Sequence, residues 1–168
     1  MSLALRQAAP SDVPTILGFI KELAAYEKLE HQVVATEALL HEHLFGGRPV
    51  AEVVIAELNG RPVGFALFFQ NFSTFLGRPG VYLEDLYVQP DARGHGIGKA
   101  LLVHLAQLAV ARGAGRFDWN VLDWNEPAIG FYKRLGADVL PDWRTCRVTG
   151  DALRALATEI VTIGKTEL

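Results

Sequence analysis

The sequence has one cysteine, no long apolar run and no strong excess of charge. The single cysteine, Cys146, excludes an intramolecular disulfide and a cysteine-rich metal site. The net charge of -3 at pH 7 lacks the basic excess with which general nucleic-acid binders neutralise phosphates. No apolar segment approaches the ~20 residues that span a bilayer, and the N-terminus lacks a signal-peptide layout. We therefore expect a cytoplasmic protein with neither nucleic acid nor a membrane as a partner.

The composition that is present is that of an ordinary globular protein. Hydrophobic residues make up 50% and charged residues 21% of the 168 residues. These proportions predict one domain over residues 1–168 with one substantial core.

Hydrophobic spacing and turn residues predict that helices alternate with strands along the chain. The helical spacing and caps predict helices over about 13–28, 37–45, 98–112, 126–135 and 151–158. Strand-rich runs are expected at 3–8, 50–58, 62–70, 81–88, 117–122 and 143–148. Asn59-Gly60 predicts a two-residue hairpin, and the crossover at 81–121 predicts a parallel strand pair. Together these elements predict a mixed α/β (α+β) layer fold.

The most informative stretch is the predicted strand 81–88 with the glycine-rich turn and the helix that follow it. The beginning of a helix presents backbone N–H groups without a partner and the positive end of the helix dipole. Glycines at 94, 96 and 98 remove the Cβ atoms that would keep an anion away from those donors. The pattern therefore predicts a site for phosphate or pyrophosphate.

Two common nucleotide-binding motifs do not fit this turn. A dinucleotide fold requires an acidic residue at the end of the next strand, whereas Asp118 lies in the middle of it. A P-loop requires Ser or Thr after the lysine, whereas Lys99 is followed by Ala100. The ligand is therefore expected to be a phosphorylated group of another kind.

Two motifs resemble those of the GNAT acetyltransferase superfamily. Arg93, Gly96 and Gly98 fit its acetyl-CoA loop pattern, Arg/Gln-x-x-Gly-x-Gly/Ala. A later block resembles the second motif, in which Asn125 is followed seven positions on by Tyr132. Within the superfamily, the chain resembles the spermidine/spermine acetyltransferase branch, which includes diamine and thialysine enzymes. The segments that carry this resemblance are 21–27, 81–85, 93–98, 124–127 and 131–134.

This resemblance implies a fold, a cofactor and an assembly. The implied fold is a central, mixed but mostly antiparallel twisted sheet with a splayed parallel strand pair, flanked by helices. The implied cofactor is acetyl-CoA, and the implied assembly is a homodimer formed through the C-terminal part. The chain departs from the branch in the segment between Asp138 and Trp143 and in the tight hairpin at Gly60. The acceptor therefore stays open.

The resemblance also implies which residues hold the cofactor. Backbone N–H groups of the glycine turn would bind the pyrophosphate, with the Arg93 side chain free to add charge. The end of the preceding strand would hold the pantetheine arm, and the N–H of Leu86 would polarise the thioester carbonyl. Asn125 would bind the cofactor arm or simply cap the next helix. The implied cofactor contacts are Leu86, Tyr87, Val88, Arg93, Gly94, His95, Gly96, Ile97, Gly98, Lys99, Asn125 and Tyr132.

Two side chains are the candidates for moving protons. A carboxylate deep in a β-rich run carries a desolvation penalty and needs a reason. Glu84, directly or through water, is the implied base that deprotonates the ammonium of the substrate, and its alternative is a paired carboxylate at a strand bulge. Tyr132 is the candidate acid for the departing thiolate, and its alternative is a packed helix aromatic.

Three further residues are candidates for the acceptor site. Asp85 is adjacent to Glu84 and faces the other side of the strand unless a bulge intervenes. It could bind substrate charge. Tyr26 and Glu27 line the acceptor site in the related branch, where Glu27 could pair with a distal ammonium, and its alternative is a solvated helix-end charge. His41 and His43 point different ways on a helix, so no metal site is expected.

The resulting prediction is an acetyl-CoA-dependent N-acetyltransferase for a small polyamine-like or lysine-like amine. It would act by direct attack in a ternary complex. Two alternatives are a transferase for a protein or peptide amine or an aminoglycoside, and a non-catalytic acetyl-CoA-binding module.

Overall fold

In the computed structural model, which describes residues 2–159, helices and strands follow the order that the sequence predicts. Contacts divide the chain into two compact units after Asn120, and each is described by itself. The expected single domain stays a prediction. The strands of the first unit are β1 (Leu3–Gln7), β2 (Glu52–Leu58), β3 (Arg61–Ser73), β4 (Arg78–Val88) and β5 (Phe117–Trp119). Its helices are α1 (Val13–Glu27), α2 (Glu37–Phe45) and α3 (Ile97–Ala111). The second unit contains α4 (Glu126–Arg134) and α5 (Gly150–Ala157).

The sheet of the first unit is mixed and mostly antiparallel, as predicted. Its order is β1-β2-β3-β4-β5, and only the last pair is parallel. This parallel pair confirms the predicted crossover through α3. Asn59 and Gly60 have φ angles of 52° and 78°, which a two-residue hairpin turn requires. The predicted hairpin between β2 and β3 is therefore confirmed.

Helices cover both faces of this sheet. Ile16 and Phe19 of α1 pack with Leu44 of α2 against buried residues of β2, β3 and β4. Side chains alternate along a strand, so Phe68 faces the other way from Phe65. Helix α3 contacts β2, β3 and β4, and the guanidinium of Arg112, just after it, lies 6.0 Å from the Phe68 ring.

An arginine in β1 fixes the entry into α1. Arg6 forms two hydrogen bonds with the carboxylate of Asp12, at 2.7 and 2.8 Å, and one of 2.7 Å with Glu57. Asp12 also accepts the backbone N–H of Ala9, and these bonds keep the pKa of its carboxyl below the usual range. The carboxylate of Asp12 is thus used on the turn before α1 and caps no N–H of that helix. Pro14 lies in the first turn of α1.

A β-bulge at Glu84 interrupts the pairing of β3 with β4. Phe68 pairs with Leu83 and Leu67 pairs with Asp85, so Glu84 is an extra residue in the ladder. One extra residue reverses the alternation of side chains beyond it. Leu83 therefore faces α3, whereas Asp85 faces α1, next to Leu67.

Three expectations need correction. Strand β4 begins at Arg78 rather than at Val81, and β5 ends at Trp119 rather than at Leu122. Residues 143–148 are irregular and exposed instead of forming a strand. Within residues 121–159 no other strand is present with which their backbone groups could pair. The predicted helix at 151–158 is confirmed as α5, and the tail after Glu159 lies outside the described residues.

None of the helices in the described part of the chain combines the length and apolarity that crossing a membrane requires.

Candidate active site

The predicted glycine turn joins β4 to α3 and leaves the beginning of the helix bare. Gly94 and Gly96 have φ angles of 83° and 75°, where a side chain would be strained. Gly96 is the N-cap of α3, and no side chain caps the helix. The N–H groups of residues 97–99 therefore have no partner within the helix. A Cβ at Gly94, Gly96 or Gly98 would meet no atom within 4 Å, so the space beside the turn is open.

Two polar side chains flank this turn. The Nδ1 atom of His95 lies 3.1 Å from the carbonyl oxygen of Ala92. A carbonyl oxygen can only accept a hydrogen bond, so Nδ1 is the donor in this contact. Lys99 is exposed in the first turn of α3. Both side chains therefore lie at the end of the turn where a phosphate would arrive.

The Arg93 side chain has a different position from the expected one. Its Nε donates a hydrogen bond of 2.9 Å to the carbonyl oxygen of Val88. Its guanidinium carbon lies 5.1 Å from the centre of the Tyr26 ring and 5.8 Å from that of Tyr87. The side chain expected to be free for the pyrophosphate is therefore engaged with α1 and β4.

The bulge also redirects the backbone of β4. The N–H of Val81 donates to Arg116, beside β5, whereas the N–H of Gln89 donates to Val63, beside β3. Without a bulge, two residues an even number apart would point to the same edge. The reversal lies at the bulge, so the N–H of Leu86 points away from β3, toward the β5 edge.

That edge of β4 is open beyond the short β5. The parallel pairing consists of three residue pairs and ends with Leu83 opposite Trp119. Among the described strands, none pairs with residues 84–88 on that side. The Leu86 N–H therefore faces an open strand edge, as the splayed pair of the predicted fold requires.

Carboxylates gather where the bulge meets the C-terminal end of α1. Burial and, to a smaller extent, the charges of Glu84 and Glu27 together raise the pKa of Asp85 to about 6. Burial also raises the pKa of Glu27 above its usual range. We call Glu27, Glu84 and Asp85 the acidic corner. Its shared negative charge is suited to an ammonium group.

The more buried carboxylate of this strand is Asp85, which is half-buried, and not Glu84. Glu84 was expected to lie deep in the strand, but it is exposed. The cause is the bulge, which takes Glu84 out of the ladder and places Asp85 on the α1 face. Sequence alternation could not reveal this, because it assumes a regular strand.

A hydrogen-bonded network beside the acidic corner was not predicted. The Tyr87 side chain is buried against Phe19, with ring centres 6.1 Å apart. Burial and a hydrogen bond with Glu22 raise the pKa of its hydroxyl, and Arg93 opposes this. Gln89 donates to both carboxylate oxygens of Glu22 at 3.3 Å. The spacing of Glu22 and Tyr26 by four residues on α1 is the one sequence signal that places them on one face.

The second unit carries the other two candidate residues. Asn125 is buried, and its side chain accepts the backbone N–H of Ala128 at 3.4 Å. This contact confirms that it caps α4. Tyr132 lies on α4, with its ring centre 5.4 Å from that of Phe131. The predicted role of Tyr132 as an acid stays a prediction.

The mixed sheet with its open strand edge and the bare start of α3 is the arrangement that the predicted acetyltransferase fold requires. The sequence profile of the Acetyltransferase (GNAT) family matches residues 19–137. The chain belongs to this family, and it is an N-acetyltransferase. The predicted family and enzyme class are therefore confirmed.

Curated relatives cover most of the chain. It is 40% identical over 167 residues to the thialysine N-epsilon-acetyltransferase of Mus musculus, and this alignment covers 93% of this chain and 98% of the relative. It is 36% identical to L-ornithine N5-acetyltransferase NATA1 of Arabidopsis thaliana, over 90% of this chain and 86% of the relative. These similarities confirm the predicted branch.

A solved structure has the same fold. An integron cassette protein from the mobile metagenome of V. cholerae superposes with a TM-score of 0.79. The alignment covers 95% of this chain and 99% of that protein at 28% identity.

Proposed function

We propose that this protein uses acetyl-CoA to acetylate one amine of a small molecule that carries a second positive charge. The observation that carries the proposal is the acidic corner, in which the half-buried carboxylate of Asp85 feels the charges of two further carboxylates. Thialysine and ornithine, named for two relatives, each carry two amines. The acceptor class is therefore a diamine, polyamine or lysine-like amino acid.

Backbone groups would bind the cofactor. Acetyl-CoA supplies an acetyl thioester when it is bound. The N–H groups at the beginning of α3 would hold its pyrophosphate. The N–H of Leu86, at the open edge of β4, would donate to the oxygen on which charge develops.

Side chains would bind the acceptor and move protons. Asp85 and Glu27 would hold the ammonium groups, because a cation relieves the repulsion among the carboxylates. Glu84, exposed at the bulge, would take a proton from the reacting ammonium through water, and the free amine would attack in a ternary complex. Tyr132 would protonate the departing thiolate. This last role rests on the family motif.

Two further parts of the proposal rest on the family resemblance and on the sequence. The protein would work in the cytoplasm, and two copies would associate as a homodimer. Light scattering after gel filtration measures the mass of the particle, and a mass of one chain would contradict the homodimer.

The test is release of CoA by purified protein with a panel of acceptors. The panel contains spermidine, spermine, putrescine, thialysine, ornithine, lysine, an aminoglycoside and a lysine peptide. We expect turnover on small diamines or lysine-like amino acids, and mass spectrometry would identify the acetylated amine. Activity on the peptide alone would contradict the acceptor class, and CoA binding without turnover on any amine would contradict the enzyme role.

Glu27→Gln separates recognition of the second charge from the chemistry. The variant keeps the size of the side chain and removes its charge. We expect the acceptor KM to rise about tenfold, in line with the loss of a charge-assisted contact. Glu42→Gln, an exposed position on α2, is the matched control and should leave the KM unchanged.

A further inference from the structure

Arg93 is the one residue of the glycine turn whose side chain reaches the elements that carry the acidic corner. Its guanidinium lies near the rings of Tyr26, on α1, and Tyr87, on β4. A cation within about 6 Å of an aromatic ring centre is attracted by the face of the ring. The arginine therefore connects the glycine turn to both elements at one point.

A backbone contact fixes the direction of this side chain. The Nε–H of Arg93 donates to the carbonyl oxygen of Val88 at 2.9 Å. Val88 lies two residues after Leu86 in the regular part of β4, so its carbonyl points to the same edge as the Leu86 N–H. The guanidinium thus lies at the end of the open edge, turned toward α1.

The Tyr87 hydroxyl connects the arginine indirectly to α1. It interacts with both Glu22 and Arg93, whose effects on its pKa are opposite. Gln89 links Glu22 back to the end of β4. Glu22 precedes Tyr26 by four residues, so both side chains lie on one face of α1.

We infer that Arg93 is a positioning residue for the acceptor, which acts by holding Tyr26 and the last turn of α1 against the end of β4. This inference rests on the proposed function, because that function assigns acceptor binding to Glu27, the neighbour of Tyr26 in the last turn of α1. Backbone N–H groups of the turn suffice for the pyrophosphate, and the arginine side chain serves the other substrate.

The first test is a comparison of two constants in Arg93→Gln. Loss of the cation–π contacts and of the charged hydrogen bond should raise the acceptor KM about tenfold. The Kd for CoA, measured by calorimetry, should change less than about twofold, because the backbone donors remain. Arg48→Gln, an exposed arginine after α2, is the matched control for the lost charge. An unchanged acceptor KM in Arg93→Gln would overturn the inference.

A double substitution tests whether the arginine acts through Tyr26. Tyr26→Leu should also raise the acceptor KM, and Arg93→Gln should add less than about twofold to it, because coupled residues are not additive. Arg93→Lys keeps a cation but loses the planar guanidinium, and it should recover part of the effect. Full additivity of the two substitutions would show that Arg93 acts elsewhere.

Hydrogen exchange distinguishes failure of this inference from failure of the proposed function. In Arg93→Gln, the amides of the last turn of α1 should exchange faster than in the wild type, while those of α2 stay unchanged. This measurement needs no turnover. Loss of the proposed function would leave the exchange result intact, whereas unchanged exchange in α1 would contradict the positioning role itself.

Discussion

The glycine turn and the acidic corner are built from different parts of the chain. The turn presents backbone N–H groups with side chains removed, so many sequences with glycine at the same places would form it. The acidic corner depends on the side chains of Glu27, Glu84 and Asp85 and on a bulge that sets their directions. The difference teaches that the site for the shared cofactor resides in the backbone, whereas the choice of acceptor resides in a few side chains.

Tyr132 belongs to neither region and tests whether the two regions alone account for turnover. If its hydroxyl protonates the thiolate, Tyr132→Phe should lower kcat by about 10²–10⁴-fold. Single-turnover kinetics with a saturating diamine would measure the rate of acetyl transfer, and the Kd for CoA would show whether cofactor binding is intact. A decrease below threefold with intact CoA binding would remove Tyr132 from the mechanism.

Glu84→Gln separates proton transfer from charge binding within the acidic corner. A base contributes about 10²-fold or more to the rate, so kcat should fall by that factor while the acceptor KM changes little. The pH dependence of kcat/KM is the second measurement. If Glu84→Gln keeps its activity and Asp85→Asn loses the pH dependence near 6, the base is Asp85 instead.

Gly96→Val places a side chain on the backbone-built region. A β-branched residue in the left-handed conformation costs about 1–2 kcal/mol, and its side chain would enter the open space beside the turn. We expect the Kd for CoA to rise about tenfold or more. Gly60→Val carries similar strain in the hairpin, at a φ of 78°, and should lower stability without affecting CoA. Equal CoA affinity in both variants would show that the turn does not bind the cofactor.

Asp85→Asn should weaken binding of the acceptor and increase the free energy of unfolding. The folded pKa of Asp85 is about 6, above its ordinary value of 3.8. The unfolded chain therefore ionises first, and the stability that this group contributes is lost as the pH rises through about 6. Asn should recover about 1–3 kcal/mol at pH 7, since one pKa unit is about 1.4 kcal/mol. At pH 3.5 the denaturation midpoints of the wild type and of Asp85→Asn should agree. A variant that is less stable than the wild type at pH 7 would contradict the claim that ionised Asp85 destabilises the fold.

Much of the fold could be predicted because local signals agree with it. Asn59-Gly60 specifies its hairpin, and a threonine, Thr36, stands just before α2, where its hydroxyl accepts the N–H of Leu39. The bulge at Glu84 escaped prediction, because it is a mismatch between two strands and has no signature in either one. The direction of Arg93 escaped for a similar reason, since Tyr26 lies 67 residues earlier in the chain.

The bulge shifts every later residue of β4 by one position relative to β3. Val81 and Gln89 are separated by an even number of residues, yet their N–H groups reach opposite edges of β4. A regular strand of the same length, with Glu84 in the ladder, would keep one alternation from end to end. Asp85 and Tyr87 would then lie on the opposite face of the sheet, and the Leu86 N–H would point toward β3. The bulge is therefore as much a part of the site as the identity of any residue in the strand.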